Sequence, residues 1–233
     1  MADFVLVHGA WHGAWCWKRI VPALWSHGHR AFAVTLSGVG ERAHIPPAAV
    51  TLATHIEDVA AVIEAEELSS AILVGHSYGG IVITGVAQRL KDRLGRLVYL
   101  DAVVPHPGES WSSGHAEETR VARRAAIAAN GGALPAPDPA IFGLAGDDAA
   151  WVARRQTPQP GAVYDTPLSF DPARIAALPR TFISCTAPTL ATIDSSRARA
   201  RAECGWDFVE LATGHDPMIS MPGPLLQVLL ALA

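Results

Sequence analysis

Cysteine is scarce in this chain. Cys16, Cys185 and Cys204 are odd in number and stand at no redox or zinc-ligand spacing, so neither a disulfide framework nor a structural metal site is expected. Free thiols in a reducing compartment fit better. Long apolar runs are missing too: the C-terminal PLLQVLLALA is broken by Gln227 and falls short of the ~18 residues a membrane span needs. The start, MADFVLVHGA, has no basic segment ahead of its few apolar residues, so no signal peptide is expected. Charge of one sign is also lacking, with 18 Lys and Arg against 22 Asp and Glu and no run of either. That balance speaks against nucleic acid as a partner. The expectation is a soluble, cytoplasmic protein, monomer or homodimer, acting on a small molecule.

What the chain does have is apolar content, half of its 233 residues, enough for one large domain with a well-buried core. Short apolar runs rich in β-branched residues recur at 4–8, 31–36, 71–76, 96–101, 180–185 and 206–211. They are continuous rather than alternating, as strands buried on both faces of a parallel sheet must be. Helix-like segments lie between several of them: GAWCWKRIVPALWS, TLATHIEDVAAVIEAEE, YGGIVITGVAQRLKD and SSRARARAEC. This rhythm predicts an α/β fold, a doubly wound sheet with helices on both faces. Residues 105–178 break it, rich in Ala, Pro and Gly with helices expected at HAEETRVARRAAIAAN and GDDAAWVARR. So long an interval reads as an inserted lid rather than a structureless loop. The division predicted is a core of 1–104 and 179–233 with a lid at 105–178.

The third strand runs directly into VGHSYGG and an apolar helix. Gly75-His76-Ser77-Tyr78-Gly79 matches G-x-S-x-G, the nucleophile elbow, in which small neighbours let a serine occupy a strained strand-to-helix turn. The match alone is weak; its place between a buried strand and a helix, with Gly80 for close packing, makes Ser77 the candidate nucleophile. A serine hydroxyl needs a base near neutral pH. The loop after the last strand reads LATGHDPM and supplies His215. The base must be neutral, so activity should rise through the ordinary histidine range, ~6.5 or somewhat above. A developing oxyanion needs preorganised donors, each worth about 3 kcal/mol. The N–H of Tyr78 is one candidate, and Ala10, in HGAWHGAW after the first strand, is the other, with Gly9 letting the backbone approach the substrate.

With those residues in hand, FVLVHGAWHGAWCW, LSGVGERAHI, VGHSYGG, LVYLDAVVP, TPQPGAVYDTPLSF and the terminal GHDPM together resemble the α/β-hydrolase superfamily. The resemblance is to the branch of plant methyl esterases, hydroxynitrile lyases and bacterial esterase relatives. It spans nearly the whole chain and implies a six-stranded, mostly parallel core, a helical lid between strands four and five, Ser77 and His215 as nucleophile and base, and no cofactor or metal. Hydroxynitrile lyases of this branch carry threonine at the position of Gly9 and lysine at that of Asp216, so the esterase side fits better.

One part is out of place. Relatives end the fifth strand with a cysteine followed shortly by the acid of a triad, and here Cys185 leads into Thr186, Ala187 and Pro188. Asp101, in the otherwise apolar LVYLDAV at the end of the fourth strand, is the preferred acid, because a carboxylate in a buried strand demands a specific partner. It resembles haloalkane dehalogenases and some lipases in that placement. Asp194, later in the loop after the fifth strand, is the alternative, and a chain with no acid is the third. Trp111, Trp151, Phe142, Tyr164 and Phe170 suggest a pocket for a small to medium apolar or aromatic ester, with Gly9, Trp111 and Trp151 as substrate contacts, though each aromatic could equally be lid core. Two other functions fit the same scaffold: a lyase, decarboxylase or lactone-forming enzyme using the Ser/His pair, and a ligand receptor that has kept the elbow without turnover.

Overall fold

The computed structural model describes all 233 residues, Met1–Ala233. Six strands form one sheet: β1 (Asp3–Val7), β2 (Arg30–Val34), β3 (Ala71–His76), β4 (Leu94–Leu100), β7 (Arg180–Cys185) and β8 (Trp206–Leu211). Their order is β2-β1-β3-β4-β7-β8, and every neighbouring pair is parallel. Central strands are the continuous apolar runs because helices cover both faces: all six residues of β3 are buried, whereas the edge strands β2 and β8 alternate with partly exposed positions.

Five helices join or flank the strands: α1 (Val21–Ser26), α2 (Leu52–Ala65), α3 (Gly79–Leu90), α7 (Asp194–Ala202) and α9 (Pro222–Ala231). The helix start expected at GAWCW is instead a single 3-10 turn, Ala14–Trp17, and α1 begins only after it. Thr51 caps α2 by accepting from the Thr54 N–H, with the Thr54 hydroxyl returned to the Thr51 N–H. No helix is long and apolar enough to cross a membrane.

Between β4 and β7 the chain leaves the sheet. This excursion holds α4 (Glu117–Ala129), α5 (Gly146–Ala153), α6 (Pro172–Ile175) and a two-stranded antiparallel ribbon of β5 (Ala133–Leu134) with β6 (Gln159–Pro160). It comes back over the carboxyl ends of the strands: Thr157 N–H donates to Trp11 O, and His215 N–H donates to Phe142 O. The strand order reverses direction between β1 and β3, and at such a switch point the loops leaving two adjacent strands part and open a crevice. The loop after β1 and the turn after β3 are therefore the two segments this topology presents to a ligand.

Candidate active site

At the end of β3 the chain turns with Ser77 at φ +53°, a left-handed conformation that a serine holds only when its surroundings enforce it. They do: Ser77 N–H donates to Leu100 O (3.2 Å), and Ser77 O accepts from Gly80 N–H (3.1 Å) and Val103 N–H (3.0 Å). Backbone packing explains the glycines around it. A Cβ on Gly80 would lie 2.1 Å from Val103 O, and one on Gly9 would lie 2.8 Å from Ser77 Cβ. The loop after β1 thus touches the serine, and a threonine could not stand at position 9 without displacing it.

His215 follows β8 just before the short helix α8 (Pro217–Ser220). Its Nδ1–H donates to Asp101 Oδ2 at 2.7 Å, while its Nε2 is buried without a partner. Asp101 is wholly buried at the end of β4 and sits at φ +42°. Its Oδ1 accepts from Cys185 N–H (3.2 Å) and from the Arg197 guanidinium (3.0 Å). Burial alone would raise this carboxyl, but the His215 hydrogen bond, the His215 and Arg197 charges and the Cys185 N–H outweigh it and hold it below the usual range. The structure places Asp194 elsewhere. Its side chain is 63% exposed at the first turn of α7, and its partner is Arg197 rather than His215. The loop in front of it, with a cis Ala187–Pro188 peptide, lies beside the His215 loop: Ala187 N–H donates to Thr213 O, and Pro188 packs against Gly143.

Arg197 was not singled out in the sequence, where SSRARARAEC shows only an arginine-rich helix. Its Nε donates to Ser184 Oγ (2.9 Å), and it bridges the buried Asp101 to the exposed Asp194. Removing it leaves a buried carboxylate one charged partner short. Arg197→Met should therefore cost about 2 kcal/mol of stability, read as a lowered urea midpoint. Asp194→Asn, which breaks only the exposed arm, should cost less than about 1 kcal/mol.

Two imidazoles shape the loop after β1, and a third holds Tyr78. His8 Nε2 accepts from Leu36 N–H (3.1 Å), so its proton is on Nδ1, which donates to Gly9 O (2.7 Å). Burial pushes this imidazole down to about 3 and keeps it neutral. His12 Nδ1 donates to Ala10 O (2.8 Å), and Trp11 N–H, at a residue with φ +66°, donates to Gln159 Oε1 (3.0 Å). Ala10 N–H and Tyr78 N–H, both buried, make no hydrogen bond within the protein. His55 holds the Tyr78 ring, accepting its hydroxyl at 2.9 Å and donating from Nε2 to Ser37 O at 2.8 Å.

Aromatic rings cover this corner. Trp111 packs at 5.1 Å on Tyr78 and 5.7 Å on Trp11, Tyr164 packs on Trp111, and Phe142 lies 5.6 Å from the His215 ring. Two other expected contacts are not part of the cluster. Trp151 packs on Trp15 between Arg19 and Arg155, and Phe170 lines a separate small cavity with Tyr99, Pro172 and Trp206. No cluster of three His, Cys, Asp or Glu side chains is arranged to hold a metal ion.

A carbendazim-hydrolysing esterase from Nocardioides sp. (strain SG-4G) is 43% identical over the full length of both chains. Methylesterase 10 of Arabidopsis thaliana is 35% identical over 44% of this chain and 38% of its own. The α-hydroxynitrile lyase of the same plant is 41% identical over 44% of this chain and 40% of its own. Among solved structures, an extracellular α/β-hydrolase from Paenibacillus superposes with a TM-score of 0.83 at 22% identity, covering 99% of this chain and 98% of that one. The family model described as "Alpha/beta hydrolase family" matches residues 4–228, and the chain belongs to that family.

Proposed function

We propose that this esterase-type α/β hydrolase cleaves small carboxylic esters and carbamates through an acyl-enzyme on Ser77. The observation that carries the reading is the ordered set of Ser77 in a strained elbow, His215 with a free Nε2, and Asp101 on its Nδ1. In the reaction, Nε2 takes the Ser77 proton as Oγ attacks the carbonyl. The tetrahedral oxygen gathers charge against the two unspent N–H groups of Ala10 and Tyr78. Asp101 keeps the His215 proton on Nδ1 and stabilises the imidazolium, which returns the proton to the leaving alcohol. Water then repeats the sequence on the acyl group. Residues 105–178 act as the lid, with Trp111, Phe142 and Tyr164 facing the substrate.

The Nocardioides relative favours the substrate class, since carbendazim is the methyl carbamate of a flat aromatic amine and the cluster here is aromatic. The free thiols of Cys16, Cys185 and Cys204 suit a cytoplasmic setting. A lyase reading is disfavoured by the contact between Gly9 and Ser77 and by Asp216, an anion where cyanide departure needs a cation.

The test is to incubate the protein with a serine-reactive phosphonate, a p-nitrophenyl ester series and carbendazim, and to locate any adduct by mass. One adduct on Ser77 with parallel loss of turnover is expected. Absence of both label and ester turnover would sink the esterase reading; labelling with turnover that Ser77→Ala blocks would sink a receptor.

A further inference from the structure

Directly after His215 the chain places Asp216, wholly buried beside three imidazoles. Its Oδ2 is 3.2 Å from His12 Nε2, and its Oδ1 is 3.5 Å from His76 Nε2 and makes no hydrogen bond. His76 Nε2 already donates to His215 O (2.8 Å) and its Nδ1 is unpartnered, so His76 is a neutral ring with its proton on Nε2. His12 differs. Its Nδ1 faces the Ala10 carbonyl, which can only accept, and its Nε2 faces a carboxylate, which when ionised can only accept. Both nitrogens must carry protons, and the ring is an imidazolium.

This ring does specific work on the loop after β1. The Gly9–Ala10 peptide is held at its oxygen by His8, and the Ala10–Trp11 peptide at its oxygen by His12 and at its nitrogen by Gln159. Of the polar groups on these two peptides, only Ala10 N–H is left unspent. Trp11 at φ +66° would relax if that grip failed, and Ala10 would swing with it.

We propose that His12, held as an imidazolium by Asp216, is a positioning residue for ester cleavage, fixing the Ala10 peptide for the oxyanion, and that its deprotonation loosens the site at alkaline pH. This rests on the reading that Ala10 N–H serves the oxyanion. The groups facing His12 are Asp216 from the loop after β8, His76 from β3 and His8 from the loop after β1, with the Trp15 ring stacked on it at 5.1 Å, while His215 and the Cys16 thiol face Asp216. Burial works against the His12 charge, but the Asp216 charge and hydrogen bond outweigh it and raise the imidazolium above the usual histidine range. Asp216 itself is held down to about 2, burial being outweighed by His12, His76 and His215. The sign follows: the cationic pair is intact below the raised His12 value and is lost as pH climbs through it. One of its two hydrogen bonds must then fail.

The experiment is a kcat and KM profile from pH 6 to 10 on a p-nitrophenyl ester for wild type, Asp216→Asn and His12→Gln. Wild type is expected to lose kcat on an alkaline limb at nearly constant KM, since an oxyanion donor acts only in the transition state. Asp216→Asn should move that limb at least one pH unit lower, because the charge that raises His12 is gone. His12→Gln should abolish the limb and lower kcat by roughly 10-fold throughout. An alkaline limb unchanged in Asp216→Asn, or full kcat across the range in His12→Gln, overturns the proposal. Should either variant fail to fold, nitrogen-15 NMR of histidine-labelled wild type decides. Two protonated ring nitrogens on His12 at neutral pH support the proposal, and one overturns it. Wild type without turnover or Ser77 label would refute the esterase reading itself, which is a separate outcome.

Discussion

Asp101→Asn is expected to lower kcat by about 10⁴-fold with little change in KM. The amide can still accept from Cys185 N–H and Arg197 through its oxygen, so the β4 end keeps its shape. What it loses is control of the histidine. An N–H now faces His215 Nδ1, drives the ring to its other tautomer and puts a proton on Nε2, where the lone pair for Ser77 should be. Circular dichroism should report an intact fold while steady-state kinetics report the loss. Asp194→Asn serves as the comparison and should stay within about twofold of wild type, because that side chain is in solvent and its only partner is Arg197. Near-full turnover in Asp101→Asn with loss in Asp194→Asn would refute the assignment.

Much of the fold could be read from the chain because the signals were local. The continuous runs at 71–76 and 180–185 are strands β3 and β7 to the residue, and the elbow needed only its own seven letters. LVYLDAV marked Asp101 for a partner, since an apolar strand does not bury a lone carboxylate, and the structure supplies His215 on one oxygen and Arg197 on the other. What was not legible is pairing at long range. Arg197 meets Asp101 across 96 residues and His12 meets Asp216 across 204, and no periodicity records such contacts. Trp151 and Phe170 show the same limit from the other side: aromatic residues in the excursion are visible in the sequence, but Trp151 packs on Trp15 and Phe170 beside Tyr99 and Trp206, tertiary contacts that no local pattern records. The helix-like stretch from Ala14 is split into a 3-10 turn and α1 because Pro22, which has no N–H to donate, is tolerated only in the first turn of a helix, so α1 starts at Val21.

Gly80→Ala should be the most damaging single methyl in the chain, costing on the order of 4 kcal/mol and most of the activity. Its new Cβ would stand 2.1 Å from Val103 O and 2.9 Å from Ala102 Cβ, a backbone carbonyl and a buried side chain that no rotamer change can clear. The strand end must shift instead. Val103 N–H is one of the two donors to Ser77 O, and Val103 follows Asp101 by two residues, so the same methyl presses on the Ser77 turn and on the segment that carries Asp101. Stability and turnover should therefore fall together, unlike Asp101→Asn, where only turnover falls. Gly223→Ala is the contrast. At the start of α9 a Cβ meets nothing within 4 Å, and the methyl should be neutral or add up to about 1 kcal/mol through the lower entropy of the unfolded chain. Denaturant midpoints and ester turnover on the pair check this directly, and a Gly80→Ala protein with wild-type midpoint would show that the elbow tolerates a side chain where the geometry leaves no room.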